Sequence, residues 1–310
     1  MILDAARLAD ELGYEVISVA EGWGLDSALV MSEIAKSTSR IRIAAGIFSI
    51  WGRTAGTIAM TAATLHEISG GRFILGLGAS TSALAQGFHG VPYERPAARL
   101  RSTLLSVRAL LRGEPSPAGL GRPLKLGHPP VPDLPIWVAA SGEKTVQVAA
   151  ELADGWYPIY LRRDRCREWV AEINQVRAVA GLRPLTLAVG PFSVVDDDPG
   201  AARDMAAACT ATYLNAMGEI YPRVVSAQGL GAEVELVRAA PRGVVPDEAS
   251  ALLTEFTAHG TTEDVRTQLS TWDDVADITM VGLPPGMPWP NIEATLRAGA
   301  PSYLTSTARV

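Results

Sequence analysis

The sequence is poor in the residue types that give small proteins covalent or metal-based stability. Among its 310 residues there are only two cysteines and four scattered histidines, and aromatic residues make up 6%. These shortages exclude a disulfide framework and argue against a zinc centre. Cys166 lies in the arginine-rich run 162–167, where neighbouring cations lower a thiol pKa, but an idle surface thiol is the simpler interpretation. We expect a reduced cytoplasmic protein without a metal.

Two further absences limit the partners. No apolar run approaches the ~18 residues of a membrane-spanning helix, and the N-terminus lacks the basic start of a signal peptide. No block of lysine or arginine stands out, and the formal net charge is -6. Because nucleic-acid-binding surfaces are normally basic, we expect a small-molecule substrate and neither nucleic acid nor membrane as a partner.

What the sequence does contain is a repeated alternation of apolar strand-like runs and helical segments. This pattern implies parallel strands joined by right-handed crossovers. The strands are predicted at 16–20, 41–48, 73–78, 136–140, 155–160, 185–195 and 277–282. No Gly-x-Gly-x-x-Gly turn follows the first strand, which disfavours a dinucleotide-binding sheet. The predicted fold class is therefore α/β, a (β/α)8 TIM barrel, which suits a chain of this length.

The strand count leaves this barrel one strand short. The chain opens on a predicted helix at 2–12, so the first strand is apparently missing. Either the true start lies upstream, or the barrel has a gap with unpaired ladder groups beside it. We assign 1–310 to a single barrel domain, with an insertion at 81–135 after the fourth strand and a helical insertion at 201–270 before the last strand.

The carboxyl ends of the strands, where such barrels place their active sites, carry few reactive groups. No lysine offers a Schiff base there, and no histidine or carboxylate pair converges on a hydrolytic metal. A barrel of this kind is suited to a bound cofactor. Ser141, Gly142, Lys144 and Thr145 follow one strand and open a helix, which favours a phosphate. Simple capping by Ser141 explains the same pattern equally well.

Other strand ends are candidates for the remaining parts of the site. Gly46 and Ile47 interrupt one strand, and Gly78, Ala79 and Ser80 end another. Glycine at such positions allows a flat ligand to approach, but it also allows close packing of neighbouring elements.

Three further residues are candidates for catalysis. Glu21 ends the first predicted strand and either contacts the ligand or holds a neighbouring strand. Trp23 either walls a pocket or covers a turn. His89 lies in a loop where a role in the pocket is one interpretation.

Several of these segments together resemble the luciferase-like monooxygenases and F420-dependent oxidoreductases. The matching runs occur in order over nearly the whole chain, at Ala35–Arg42, Ser69–Gly78, Pro135–Gly142, Ala153–Trp156 and Phe256–Thr261. Glu21–Gly24 and Gly52–Thr54 are similar to the actinobacterial branch related to methylenetetrahydromethanopterin reductases.

The resemblance implies a barrel with a non-proline cis peptide near Gly46–Ile47 that backs a deazaflavin ring. It also implies ring contacts around 78–81 and a phosphate at 141–145. Glu21 and Trp23 would line the substrate side, and His89 or Tyr160 would assist proton transfer. The implied cofactor is coenzyme F420, with FMN as the alternative, and the implied assembly is at most a homodimer.

This sequence also departs from the family pattern. Gly22 stands where dehydrogenase members place a histidine, Thr81 where some place a glutamate, and Ser80 where glycine is usual. These differences argue against oxidation of sugars or alcohols. Three functions stay open: F420-dependent hydride transfer, FMN-dependent monooxygenation, and a binding or non-redox role without a cofactor.

Overall fold

A computed structural model describes residues 1–118 and 120–301. The chain divides into two compact units, each described here by itself. Unit A comprises residues 15–157 and 176–185, and unit B comprises residues 1–14, 158–175 and the chain from 186 onwards.

The secondary structure alternates as the sequence predicts. The strands are β1 (Val16–Val19), β2 (Arg42–Ala45), β3 (Phe48–Ser49), β4 (Phe73–Gly78), β5 (Ile136–Ala139), β6 (Gly155–Trp156), β7 (Thr186–Val189), β8 (Phe192–Val195), β9 (Thr257–Gly260) and β10 (Ile278–Thr279). The α-helices are α1 (Ile2–Glu11), α2 (Ser27–Ser37), α3 (Ala55–Ile68), α4 (Pro96–Leu111), α5 (Glu143–Leu152), α6 (Arg163–Val179), α7 (Pro199–Ala216), α8 (Ile220–Val225), α9 (Gly231–Ala239), α10 (Ala251–Phe256), α11 (Thr262–Ser270) and α12 (Trp289–Ala298).

Unit A is built on a parallel sheet in the order β1-β2-β4-β5-β6, and β3 also pairs with β4. Every residue of β4 is buried, as expected for a parallel strand with neighbours on both sides and helices over its faces. Helices α3, α4 and α5 pack side by side. The predicted strand 41–48 is interrupted at Gly46–Ile47, and its two parts are β2 and β3.

Arg72 directly precedes β4, and its side chain connects this strand with α2, the end of α3 and the start of β2. Its guanidinium donates five hydrogen bonds, to the carbonyl oxygens of Ser69, Ala35, Thr38 and Ile41 and to the Thr38 hydroxyl, at 2.7–3.1 Å. Without Arg72 these oxygen atoms would lack hydrogen-bond donors, because they lie at the ends of helices and strands. The arginine therefore has a structural function.

Unit B contains two parallel pairs, β7 with β10 and β8 with β9, and a bridge from Phe192 to Gly282. The predicted strand 185–195 is in fact two strands, β7 and β8, with an interruption at Gly190–Pro191. At that interruption Gly190 lies against the backbone of Met280, so closely that a β-carbon at Gly190 would overlap it. Strand β9 lies within the stretch predicted as mainly helical, so that prediction was wrong at Thr257–Gly260.

Helix α7 provides much of the apolar interior of unit B. Its buried face is mostly alanine, with Cys209 and Leu214. An aromatic cluster packs near its C-terminal half, formed by Tyr160, Phe192, Tyr213, Tyr221 and Phe256. Among the described helices, none has the length and apolar character needed to cross a membrane.

The cysteines differ from the expectation of a surface thiol. Cys166 is 0% exposed and Cys209 is 6% exposed, and neither forms a disulfide. Burial raises the pKa of each thiol to about 12, so the arginines around Cys166 do not make it a reactive thiolate.

We predict that neither thiol of the native protein reacts readily with a disulfide reagent such as Ellman's reagent near pH 8. Both are buried, and a thiol with so high a pKa carries almost no thiolate at that pH. Both should react once the chain is unfolded in guanidinium. Rapid release of the chromophore by the native protein would contradict this prediction.

A second prediction concerns Arg72. The Arg72→Lys variant should lower the free energy of unfolding by about 2–4 kcal/mol, because one ammonium cannot replace a forked donor and several acceptors lose their partners. The measurement is urea unfolding. The control is Arg122→Lys at an exposed arginine of the 113–135 loop, where little change is expected.

Candidate active site

The carboxyl ends of β3, β4 and β5 lie next to one another in unit A. Ser49 is in register with Gly78, and Gly78 is in register with Ala139. The segments that follow these strands therefore meet at one edge of the sheet. The half-exposed residues at this edge are Gly46, Ile47, Ser80, Ala139, Ser141 and Gly142.

The Gly46–Ile47 peptide bond is cis, as the family resemblance implies. The glycines around it are required by close packing within the protein. A β-carbon at Gly46 would overlap the Ser18 hydroxyl, and one at Gly76 would overlap the carbonyl oxygen of Ala45. The side chain of Ile47 lies over Gly78, and a β-carbon added at Gly78 would be 3.0 Å from it. Of the two interpretations of these glycines, close packing of neighbouring elements is the one observed.

Ser80 adopts a backbone conformation that side chains rarely favour, with φ of 51°. Its place at the turn after β4 explains why glycine is usual there, since glycine adopts positive φ without steric cost. The turn is fixed from one side by two aromatic residues. The indole nitrogen of Trp51 donates to the carbonyl of Ala79 at 2.6 Å, and the Tyr93 hydroxyl donates to that of Ser80 at 3.3 Å.

Glu21 forms a nearly buried ion pair with Arg53, and the two side chains are 11% and 15% exposed. One carboxylate oxygen accepts from Arg53 and from the Ser27 hydroxyl, and the other accepts from the backbone N–H of Ser49 at 3.0 Å. Burial would lower the pKa of Arg53, but its hydrogen bonds with Glu21 and Asp26 outweigh burial and raise it. Glu21 therefore holds a neighbouring strand, one of the two roles open from the sequence.

His89 and Trp23 lie on loops of unit A. The His89 ring rests against Gly52, so that a β-carbon at Gly52 would overlap it, and Gly52 precedes the Arg53 that pairs with Glu21. His89 is thus placed close to the Glu21 network. Trp23 follows Glu21 in an open loop and is 60% exposed.

The phosphate candidates lie at the N-terminus of α5. The Thr145 hydroxyl donates to the carbonyl of Gly142 at 2.8 Å, and the N–H groups of Thr145 and Val146 donate to the same carbonyl. The N–H groups of Glu143 and Lys144 lie in the first turn of α5, where a helix offers no backbone acceptor of its own.

Sequence reasoning missed several residues that shape the site. Arg53 and Trp51 lie in and beside the Gly52–Thr54 motif, which was a usable signal. Ser18 and Tyr157 share a hydrogen bond of 3.0 Å beside Gly46, and burial raises the pKa of Tyr157. The sequence gives no signal for that contact, because it joins residues 139 positions apart. Tyr160, a proposed proton donor, is 4% exposed inside the aromatic cluster of unit B.

The sequence is similar to those of known proteins. A family profile described as luciferase-like monooxygenase matches residues 1–277. A Mycobacterium tuberculosis protein named as a coenzyme F420-dependent oxidoreductase is 30% identical over 307 residues, covering 88% of this chain and 87% of that protein. The chain belongs to the luciferase-like monooxygenase family. It is an oxidoreductase, as the sequence resemblance predicts.

Solved structures show the same fold. The coenzyme F420-dependent tetrahydromethanopterin reductase of Methanopyrus kandleri aligns with a TM-score of 0.75 and 19% identity, over 96% of this chain and 93% of that one. The FMN-bound oxygenating component of 3,6-diketocamphane monooxygenase from Pseudomonas putida aligns with a TM-score of 0.69 and 16% identity, over 97% and 92%. The predicted luciferase-like TIM-barrel fold class is therefore confirmed.

We predict that Glu21→Ala lowers the free energy of unfolding by about 3 kcal/mol, because it leaves the nearly buried Arg53 without its main partner. Guanidinium unfolding measures the change. The matched control is Asp26→Asn, which removes the exposed partner of the same arginine and should cost about 1 kcal/mol or less. Equal effects of the two substitutions would show that burial of the Glu21 pair has no special importance.

Proposed function

We propose that this luciferase-like protein is a coenzyme F420-dependent oxidoreductase that transfers a hydride between deazaflavin C5 and a small organic substrate. The observation that carries the proposal is the juxtaposition of half-exposed Gly46–Ile47 and Ser80 with the N-terminus of α5 on adjacent strands. The F420 assignment is supported by the name of the Mycobacterium tuberculosis relative, which this chain matches along most of its length.

The residues at the start of α5 fit the phosphate of such a cofactor. The N–H groups of Glu143 and Lys144 belong to the first turn of α5, and an anion at a helix N-terminus is stabilised by such donors. Gly142 leaves room for close approach, and exposed Lys144 adds a positive charge. In this proposal Ser141, Gly142, Lys144 and Thr145 hold the phosphate.

The strand ends fit the ring. Gly46, Ile47 and Ser80 are half-exposed, and a planar group would lie against them, with buried Gly78 and Ala79 behind and Ile47 packed on Gly78. The protein would orient the ring and shield one face from water, which is how a barrel contributes to cofactor chemistry. When bound, the deazaflavin supplies the carbon that donates or accepts the hydride.

The remaining candidates have distinct proposed roles. Glu21 acts as a positioning residue, since both of its carboxylate oxygens are engaged by Arg53 and the Ser49 backbone. His89 is the proposed proton-exchanging group, through an imidazole nitrogen, because it adjoins this network. Trp23 would line the substrate side from its open loop.

A second candidate is FMN-dependent monooxygenation. The FMN-bound fold neighbour favours it, because the same fold holds FMN in that protein. A phosphate at α5 and a planar ring at the strand ends are features that both cofactors require. Affinity therefore decides between them.

The test is a spectral titration of the purified protein with F420 and, separately, with FMN. We expect F420 to bind with a dissociation constant in the micromolar range and more tightly than FMN. Lys144→Ala should weaken F420 binding by roughly three- to tenfold, as expected for the loss of one charge next to a phosphate. Lys125→Ala on an exposed loop should leave F420 binding unchanged.

A phosphate-free deazaflavin provides a further control, since its affinity should not depend on Lys144. Tighter binding of FMN would favour the monooxygenase. Absence of both F420 and FMN binding at tens of micromolar would overturn the redox proposal and favour a role without a cofactor.

A further inference from the structure

A cleft with a volume of about 410 Å³ opens in unit A between the loop 91–95 and the first turns of α4. Two arginines, Arg95 and Arg99, line it together with apolar Val91, Pro92 and Ala98. The cleft combines cationic donors with apolar walls, a combination that none of the assigned roles in the ring and phosphate sites uses.

Arg99 is held in a fixed orientation. Its Nε donates to the carbonyl oxygen of Ile50 at 3.0 Å, and its guanidinium carbon lies 4.5 Å from the centre of the Trp51 ring. The bond through Nε and the stacking leave the two terminal nitrogens as a preorganised fork. Such a fork is the geometry with which arginine recognises an oxyanion through two parallel hydrogen bonds.

Of the charged residues that line the cleft, two are arginines and one is Glu94, so its net charge is positive. Across residues 1–118 and 120–301, neither Arg95 nor Arg99 forms an ion pair, and Glu94 at the same cleft pairs with neither. Arg99 belongs to the same helix as Arg101 and Arg108, both of which are paired with carboxylates. The two arginines of the cleft therefore differ from their neighbours in offering unused donors.

We propose that this cleft binds a small organic acid, with its carboxylate on the terminal nitrogens of Arg99, assisted by Arg95, and its apolar body against Val91, Pro92 and Ala98. The cleft is larger than a carboxylate group, and its remaining walls are largely apolar. The ligand is therefore an organic acid with an apolar body.

The position of the cleft connects it with the candidate active site. Trp51 and Tyr93 stack with ring centres 5.0 Å apart, and they donate to the carbonyl oxygens of Ala79 and Ser80. Trp51, which lines the cleft, is thus hydrogen-bonded to the strand end beside which the ring is proposed to lie. On this basis the acid is the substrate, a statement that rests on the proposed function, whereas the binding itself does not.

The experiment measures binding of benzoate to the full chain by calorimetry, without added cofactor. Benzamide is the matched probe, since it has the same size without the charge. We expect benzoate to bind in the millimolar range, benzamide to bind at least about tenfold more weakly, and Arg99→Gln to weaken benzoate by about tenfold. Arg99→Lys should give an intermediate loss, because it keeps the charge without the fork.

Arg122→Gln is the control for general charge, and it should leave benzoate binding unchanged. Circular dichroism and the unfolding midpoint show whether Arg99→Gln is folded, and if it is not, Arg95→Gln gives the comparison. Equal binding of benzoate and benzamide, no benzoate binding at millimolar concentrations, or equal losses in the Arg99 and Arg122 variants would each overturn the proposal. A failed F420 titration would leave this result standing, so the two proposals fail separately.

Discussion

A carboxylate that is removed from water needs a cation and hydrogen-bond donors at fixed positions, and the candidate site is built around one such carboxylate. Glu21 at the end of β1 meets Arg53 and the backbone N–H of Ser49. The first contact reaches the segment that leads into α3, and the second reaches β3. Because Arg53 also stacks on buried Phe48, the ends of two strands and the start of a helix are fixed by a single charged pair.

The strand ends next to this ion pair are closely packed, which restricts their backbone. At Gly46 and Gly76 the neighbouring hydroxyl and carbonyl oxygen occupy the space of a β-carbon, and at Gly78 the side chain of Ile47 lies just beside it. A side chain at Gly46 or Gly76 would push the interrupted strand away from β4 or β1. The flatness of the strand ends is therefore a consequence of packing within the sheet. Gly76 and Gly78 are buried by this packing, whereas Gly46, Ile47 and Ser80 stay half-exposed.

The sequence allowed prediction of the repeating architecture and the approximate place of the site. Apolar runs are continuous in buried parallel strands, so β4 and β5 were predicted within a residue of their bounds. Local motifs were predictable where one residue serves several neighbours. Asp154, for example, accepts from the backbone of Ile136 and from Arg108, which explains its place before β6.

The contacts that decide the roles of side chains could not be predicted in the same way. Glu21 and Arg53 are 32 positions apart, and the sequence does not show which of several charges they choose. Cys166 was expected to be an idle thiol at the surface, but helix α6 turns the thiol into the interior and its neighbours Arg165 and Arg167 outward. Strand β9 was missed because four residues with a histidine and a glycine carry no clear apolar pattern.

Trp51 contacts both the strand ends where the ring is proposed to lie and the cleft lined by Arg95 and Arg99. Its indole N–H fixes the carbonyl of Ala79, and its ring face supports Arg99, so one buried side chain defines a wall of each. A movement of Trp51 large enough to release Arg99 would also break its bond to Ala79. Trp51 therefore links the guanidinium of Arg99 to the turn before Ser80 through direct contacts.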